Sequence, residues 1–502
     1  MNKSFRNILI CCLLLTTYCL LSTPYCLLVY AYPPGWSDDI LLSPDDPKHR
    51  CQPDLDVDGF NFVWAVWDTG SWVSGTAEIL YSKRDSLGAC LIPETAVSNN
   101  ASYSLGPRIA VDASNNIQFV WLDQTPQGMG LWHATLASDG SVIVPAHLAV
   151  SGNNDGYPIN IALNKHKEIN VIWDEISSGN NQMNYTKLDS LGNPIITKIR
   201  VSPDSIYAHW SGIGTDSMAN NHLGYGLAIT SIESLTYTKL DKNGNVLIDN
   251  KILGSGLLPT IVADQNQNIH MAYGHQIPYV GWSIEYLKLD QDANILVGPK
   301  TLSIYQTNAR AHMAMDSLQY LHVVWDSESG GAFPVMYTKL DTMGEFVIPP
   351  MQVVYPPYTS GAGIPRIAVD RSNRLHLVWV DERLNPGIST AIFYKRGENE
   401  STVEEIARLK TAKFPRITVS PNPFSKETRI HFVSSCKSKK IEFLVFDVTG
   451  SKVKEFLFSE HSRIVTWQGT DNTGNLLPAG VYFLRDVSSP SPKQSVQLIL
   501  LR

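Results

Sequence analysis

The sequence predicts an all-β protein: a seven-bladed β-propeller followed by a small immunoglobulin-like β-sandwich. Three observations carry this prediction. A polar residue followed nine positions later by an aromatic recurs seven times at near-constant spacing, each copy contains four short strand-like segments, and residues 416–502 show a different strand pattern without the repeat.

In chain order, residues 1–31 read as a secretory signal. Lys3 and Arg6 precede an apolar stretch from Ile8 to Val29, and Val29-Tyr30-Ala31 offers small residues for cleavage, so the mature chain is expected to begin near Tyr32. No second apolar run of bilayer length follows, so no membrane span is expected after signal removal. Four of the seven cysteines lie inside the signal. Of the remaining three, Cys51 and Cys90 could form one bridge in an oxidising compartment, and the other reading is three buried thiols. The net charge of −7, with no Lys/Arg cluster, argues against a nucleic-acid partner. With 43% hydrophobic and 17% charged residues, the chain can bury a core and is not a disordered segment.

Residues 32–397 carry the repeat. Its pairs are Asp58/Trp67, Asp112/Trp121, Asn164/Trp173, Asp216/Tyr225, Asp264/Tyr273, Asp316/Trp325 and Asp370/Trp379, with steps of 54, 52, 52, 48, 52 and 54 residues. Each copy opens with a segment like Pro365-Arg366-Ile367-Ala368-Val369-Asp370. A polar turn leads to an alternating segment such as Leu321-His322-Val323-Val324-Trp325. A third segment resembles Tyr185-Thr186-Lys187-Leu188-Asp189, and a Gly/Asn turn such as Lys242-Asn243-Gly244-Asn245 leads to the fourth. Four short strands per unit of about 50 residues make one blade. The seventh copy stops after its third strand, Ala391 to Arg396, whereas a stray fourth-strand sequence, Asp39-Ile40-Leu41-Leu42-Ser43, precedes the first copy. The N-terminal strand is therefore expected to complete the last blade and remove the open sheet edges.

The recurring residues have structural explanations. Trp67, Trp121, Trp173, Trp325 and Trp379 are expected to pack between blades. His222, His270, His322 and His376 recur at one depth in four different blades, which argues for repeat-borne structural residues; no metal and no cofactor is assigned. Asp189, Asp241 and Asp341 precede turns in which a carboxylate can cap backbone N–H groups. Asp241 to Asn245 has a faint likeness to a calcium loop but lacks its later bidentate Glu.

Residues 398–415 are charged, lack the repeat and read as a linker. Residues 416–502 then carry six or seven short strands, enough for a β-sandwich. The quoted motifs are Pro421-Asn422-Pro423-Phe424, Phe446-Asp447-Val448-Thr449-Gly450, Trp467-Gln468-Gly469-Thr470-Asp471 with Gly474, Gly480-Val481-Tyr482-Phe483, and a hydrophobic end closing on Arg502. As a set they resemble the type A sorting domain of the bacterial type IX secretion system. The other family they resemble is the immunoglobulin-like domain of flagellar hook-capping proteins. Gln468 stands where the sorting domain more often has Asp. The first resemblance implies export across an outer membrane, recognition of this domain by the secretion machinery as partner, and its removal there.

For the propeller the sequence offers two readings. The first is a secreted or cell-surface, non-catalytic binding or structural module. The alternative is an extracellular propeller glycosidase or lyase of the sialidase-like kind, which needs an arginine cluster for a carboxylate. Arg108 and Arg366 share one strand position and Arg310 lies nearby, so they could approach the central channel. The Arg-Ile-Pro and Ser-x-Asp-x-Gly-x-x-Trp signatures of sialidases are absent, which favours the first reading. The second-to-third loops and the connections between blades vary in length and should emerge on one face, where a glycan or protein ligand would bind. Candidate ligand-binding residues are the loop aromatics Trp72, Tyr103, Tyr157, Trp210, Trp282 and Tyr358, with Arg108 and Arg366 at the channel.

Overall fold

The computed structural model describes residues 35–398 and 416–501, apart from segments 70–76, 99–102, 127, 155–158, 178–179, 205, 230–232, 278–280, 307–309, 328–333, 356–361, 421–423, 434–440, 448–450, 459–463 and 487–494. The chain divides into two compact units, residues 1–399 and 400–502. The signal segment and the linker residues 399–415 lie outside the described residues, as do Trp72, Tyr157, Tyr358 and Cys436.

The first unit is the seven-bladed propeller. Six blades are antiparallel sheets of four consecutive strands. The innermost strands are Cys51–Val57, Leu105–Val111, Ile159–Leu163, Ala208–Thr215, Leu257–Ala263 and Ala311–Met315. The seventh blade takes Ala362–Val369, Leu375–Asp381 and Ala391–Gly397 from the end of the unit. Its outer strand is Ile40–Leu41, which pairs antiparallel through Ile40 with Tyr394 and Leu41 with Phe393. The expected closure by the N-terminal strand is thus present. It is reinforced electrostatically: Asp39 lies 2.7 Å from Lys395 Nζ, which is fully buried, and 2.6 Å from Arg383 Nη1.

Each pair of adjacent blades shares one apolar cluster centred on the repeat aromatic. Trp121 packs with Trp64 and Tyr81 of the preceding blade, Trp325 with Ala272 and Tyr286, and Trp379 with Val324 and Tyr337. The first-to-last seam is built the same way, with Trp67 against Val378 and Ile392. A fully buried apolar side chain is worth about 1.5–3 kcal/mol, so these seams dominate the packing energy.

The third-segment motif resolves into three separate roles. Its Tyr hydroxyl meets the repeat His: Nδ1 of His222, His270, His322 and His376 lies 2.7, 2.8, 2.9 and 2.8 Å from the hydroxyls of Tyr237, Tyr286, Tyr337 and Tyr394. On its other side each ring faces the turn Asp of its own blade, at 3.2–3.4 Å. The motif Lys reaches forward: Lys239 Nζ donates to Gln291 O and Lys288 Nζ to Thr342 O of the next blade, each at 3.0 Å. The motif Asp caps its own hairpin. Asp241 Oδ1 accepts from the amides of Asn243 and Asn245 at 2.8 Å, which explains the calcium-loop likeness as a hairpin cap.

These buried histidines should make the propeller less stable in acid. Burial, opposed by Asp264, pulls His270 down to about 4. Burial, with His147 adding, pulls His133 down to about 3; His222, His322 and His376 are lowered in the same way. Below about pH 6.5 the unfolded chain binds protons that the folded protein refuses, so stability falls as pH falls from about 6.5 towards 4. We expect a melting temperature that drops through this window, and a shallower drop in His270→Gln. A flat profile in the parent protein would contradict the arrangement.

Cys51 and Cys90 are free thiols. They begin the first and fourth strands of one blade. Three strand spacings come to roughly 14 Å, well beyond the reach of a bridge.

The second unit is a sandwich of two sheets. One is ordered Arg416–Ser420, Thr428–Val433, Ile464–Trp467. The other is ordered Lys452–Phe458, Ile441–Phe446, Gly480–Asp486, Ser495–Leu500. Phe424, Ile430, Phe443, Trp467, Tyr482 and Leu498 fill the space between them. The quoted motifs form its corners. Trp467 Nε1 donates to Thr470 O at 2.9 Å, Asp471 caps the amides of Thr473 and Asn475, and Tyr482 Oη donates to Pro478 O at 2.7 Å. Among the described residues, no helix is long and apolar enough to cross a membrane.

Candidate functional site

The inner strands enclose a central cavity of about 790 Å³. Counting back from the turn residue that starts each repeat pair gives the order of its wall. Four positions before it stand Asp54, Arg108, Asn160, Gly212, Thr260, His312 and Arg366, all lining the cavity. Two positions before it the ring is small or apolar except for Asp56: Ala110, Ala162, Gly214, Val262, Ala314 and Ala368.

The first ring is linked from blade to blade. Asp54 Oδ2 accepts from the Ile109 amide at 3.2 Å, Arg108 Nε donates to Asn160 Oδ1 at 3.2 Å, and Asn160 Nδ2 donates to Ser211 O at 2.6 Å. Gly212 leaves room for close approach, since a Cβ there would lie 2.0 Å from Pro259 O. His312 Nδ1 accepts from the Ile367 amide at 3.2 Å. Burial, together with Arg366 and Arg108, holds His312 well below its ordinary range, so the ring is neutral with its proton on Nε2.

Charge in this ring is unbalanced. Arg366 approaches Asp54 no closer than 3.9 Å, and its Nε is buried with no hydrogen-bond partner among the described residues. Burial and the neighbouring Arg108 and Arg310 push it down to about 10, against the pull of Asp54 and Asp326. Three arginines from blades 2, 6 and 7 thus share one side of the cavity, with Asp54 the carboxylate in their ring. The second-ring Asp56 is pushed up to about 6 by burial, although the amides of Val111 and Val57 hydrogen-bond it.

The upper wall is shaped by β-bulges. In five blades the inner strand slips register against its neighbour at its entrance, and the bulged residue is left-handed: Gln52, Gly106, Trp210, Leu258 and Ile364, with φ of 54°, 62°, 57°, 55° and 51°. Such bulges re-aim side chains at sheet edges. Left-handed Trp, Leu and Ile are strained by about 1–3 kcal/mol each, a feature that clusters at ligand sites. Trp210, Leu258 and Ile364 line the cavity on this side.

Of the candidates read from the sequence, the structure brings together Arg108, Arg366 and Trp210 at the cavity. Tyr103 is not among the cavity residues: it is half-buried and bridged through its backbone to Ala77, with burial and then Asp68 and Cys51 pushing its phenol up. Trp282 is not among the cavity residues: it lies on the hairpin strand Gly281–Leu289 and packs against the core shared by blades 5 and 6. Cys51, pushed up to about 11 by burial, is a thiol rather than a nucleophile. Sequence reasoning missed Asp54, Asn160 and His312. The signal was available, since all three share the four-residue offset of Arg108 and Arg366.

No protein-family model matches the chain, and no curated protein matches it. Solved structures do. The chain overlays on an ulvan lyase of polysaccharide lyase family PL25 bound to -[GlcA(1-4)Rha3S]-, at 9% identity and a TM-score of 0.53, covering 75% of this chain and 99% of that one. A second structure of a PL25 ulvan lyase gives 10% identity, a TM-score of 0.52 and the same coverage. The intramolecular trans-sialidase from Ruminococcus gnavus gives 10% identity and a TM-score of 0.42, over 74% and 98% of the two chains. At these identities the likeness shows the propeller fold. The reading as a non-catalytic binding or structural module is corrected here: the two propellers overlaid at TM-scores above 0.5 are ulvan lyases, and the Nε of Arg366 in the cavity is buried with no hydrogen-bond partner among the described residues. The alternative, a propeller glycosidase or lyase, is the better supported of the two.

Proposed function

We propose that the propeller is a polysaccharide lyase acting on an acidic, uronate-containing glycan. The observation that carries this is the under-satisfied Arg366, which lines the central cavity together with Arg108 and Arg310. Guanidinium groups match carboxylates bidentately. Pairing a uronate carboxylate with them neutralises the charge that otherwise makes its α-hydrogen hard to remove, which is the electrostatic requirement of β-elimination. His312 presents an Nε2–H donor to the same anion. The overlay on ulvan lyases supports a glucuronate-containing substrate class. The expected result is that the propeller, incubated with glucuronate–rhamnose sulfate polymers, releases unsaturated uronate ends seen by ultraviolet absorbance. Saturated reducing ends alone would point to a glycosidase instead, and no cleavage across a panel of acidic polysaccharides would overturn the proposal.

The same proposal extends to export. A signal at residues 1–31 and a sorting domain at 416–502 suit an enzyme whose substrate is an extracellular polymer. The sandwich core and the Trp467, Asp471 and Tyr482 corners support the domain reading. Intact-mass measurement of the secreted protein should find a chain starting near Tyr32 and lacking the C-terminal domain. A full-length cytoplasmic protein would contradict it.

A further inference from the structure

Two of the three arginines do not stand at the mouth of the cavity. Its rim is formed by the bulged residues Gln52, Trp210, Leu258 and Ile364, each six positions before its turn residue, and Arg310 holds the same offset in blade 6. Arg108 and Arg366 stand two residues further in, roughly 7 Å along a strand. Their guanidinium groups stay at that level. Arg108 Nε donates across to Asn160 Oδ1 at 3.2 Å and its Nη1 to the adjoining Pro107 carbonyl at 2.7 Å, while Arg366 Nε faces Asp54 at 3.9 Å. Asn160 and Asp54 share the offset of the two arginines. Arg108 is only 4% exposed.

The wall around them is a ring of seven blades, closed by the pairing of Ile40–Leu41 with the last blade. The first-to-second turns tie its lower edge. The amides of Gly59, Gln265, Ser317 and Arg371 donate to the side chains of Asn115, Gln319, Asn373 and Asn61 of neighbouring blades at 2.6–3.1 Å. A ring tied in this way does not open sideways to admit a strand. A polymer lying across the mouth meets a simple limit of reach. The carboxylate of a uronate projects from its sugar ring by one carbon–carbon bond, about 1.5 Å. The arginine pair lies several times deeper. A unit near a chain end escapes this limit, because the end enters first. Room for a leading sugar lies beneath the arginines, where Ala110, Ala162 and Ala314 are half-buried on the cavity wall and Gly214 has no side chain.

We propose that the cavity takes its polysaccharide end-on and shortens it from an end. A terminal segment enters past the bulged rim, its uronate seats on Arg108 and Arg366, and the leading sugar occupies the alanine-lined level beneath. Arg310, at the rim, meets the anionic group of the following unit. This rests on the lyase reading given above and specifies which part of the polymer is the substrate.

The test uses the full chain and a glucuronate–rhamnose sulfate polymer. At low conversion the products should be short oligosaccharides of one length, while the viscosity of the remaining polymer hardly changes. Polymer sheared to shorter lengths offers more ends at equal mass and should be cut faster in proportion. Ala162→Leu fills the level beneath the arginines, and should lower kcat/KM by at least about tenfold with the melting temperature held, the usual worth of a methylene-sized misfit in a pocket. If Ala162→Leu does not fold, Ala110→Leu fills the same level from the neighbouring blade. An early fall in viscosity with products of many lengths would mean cutting within chains, and would overturn end-on binding while the lyase reading stands. Full activity in a folded Ala162→Leu or Ala110→Leu protein would overturn it as well. A parent protein that cleaves no acidic polysaccharide removes both readings.

Discussion

Arg366→Ala should lower kcat/KM by about 100- to 1,000-fold, the typical worth of one preorganised charge-stabilising donor, and leave the melting temperature unchanged or raised. These two effects separate because Arg366 is held against two like charges, Arg108 and Arg310, with only a distant contact to Asp54. Removing it relieves repulsion, while Asp54 keeps its bond from the Ile109 amide. Steady-state kinetics and calorimetry on one preparation check both halves. A lower melting temperature with full activity would mean that Arg366 is packing.

Asp39→Ala should destabilise the propeller by about 3–5 kcal/mol, because it strands buried cations. Lys395 is fully buried, and Asp39 and the Val353 carbonyl are among its partners. Arg383 retains Asp381 but loses its 2.6 Å contact to Asp39. Deleting residues 36–44 should cost more, since it also exposes the Ala391–Gly397 edge, and should promote aggregation. Thermal melts and light scattering would show this. A deletion variant that melts with the parent would refute the role of the N-terminal strand in closing the ring.

The architecture was legible because a propeller repeats its reasons for folding. The polar-to-aromatic spacing of nine marks a turn residue and a seam aromatic in every blade, so seven copies outweigh the departures in any one of them. The site was less legible because it is made where the copies differ. Asp54, Asn160, Gly212 and His312 occupy one equivalent position, and they become a ring only when the blades close. Arg108 and Arg366 stood out in the sequence through their charge, whereas His312 did not, since four other histidines recur for structural reasons. The bulges that carry Trp210 and Ile364 depend on a register slip between strands, which no local residue pattern announces. Trp282 illustrates the opposite error: an aromatic in a loop-like context that proves to be half-buried in a hairpin.

The seam between Ile40–Leu41 and Ala391–Gly397 also sets an order of events. Its contacts join residues some 340 positions apart, as in the Asp39–Arg383 pair. At translation rates of about 5–20 residues per second, the N-terminal segment exists for tens of seconds before its partner strand is made. Until then no complete ring can form, and the earlier blades accumulate as an open stack with one unfinished end. Such a chain becomes a closed ring only after its last blade has been made.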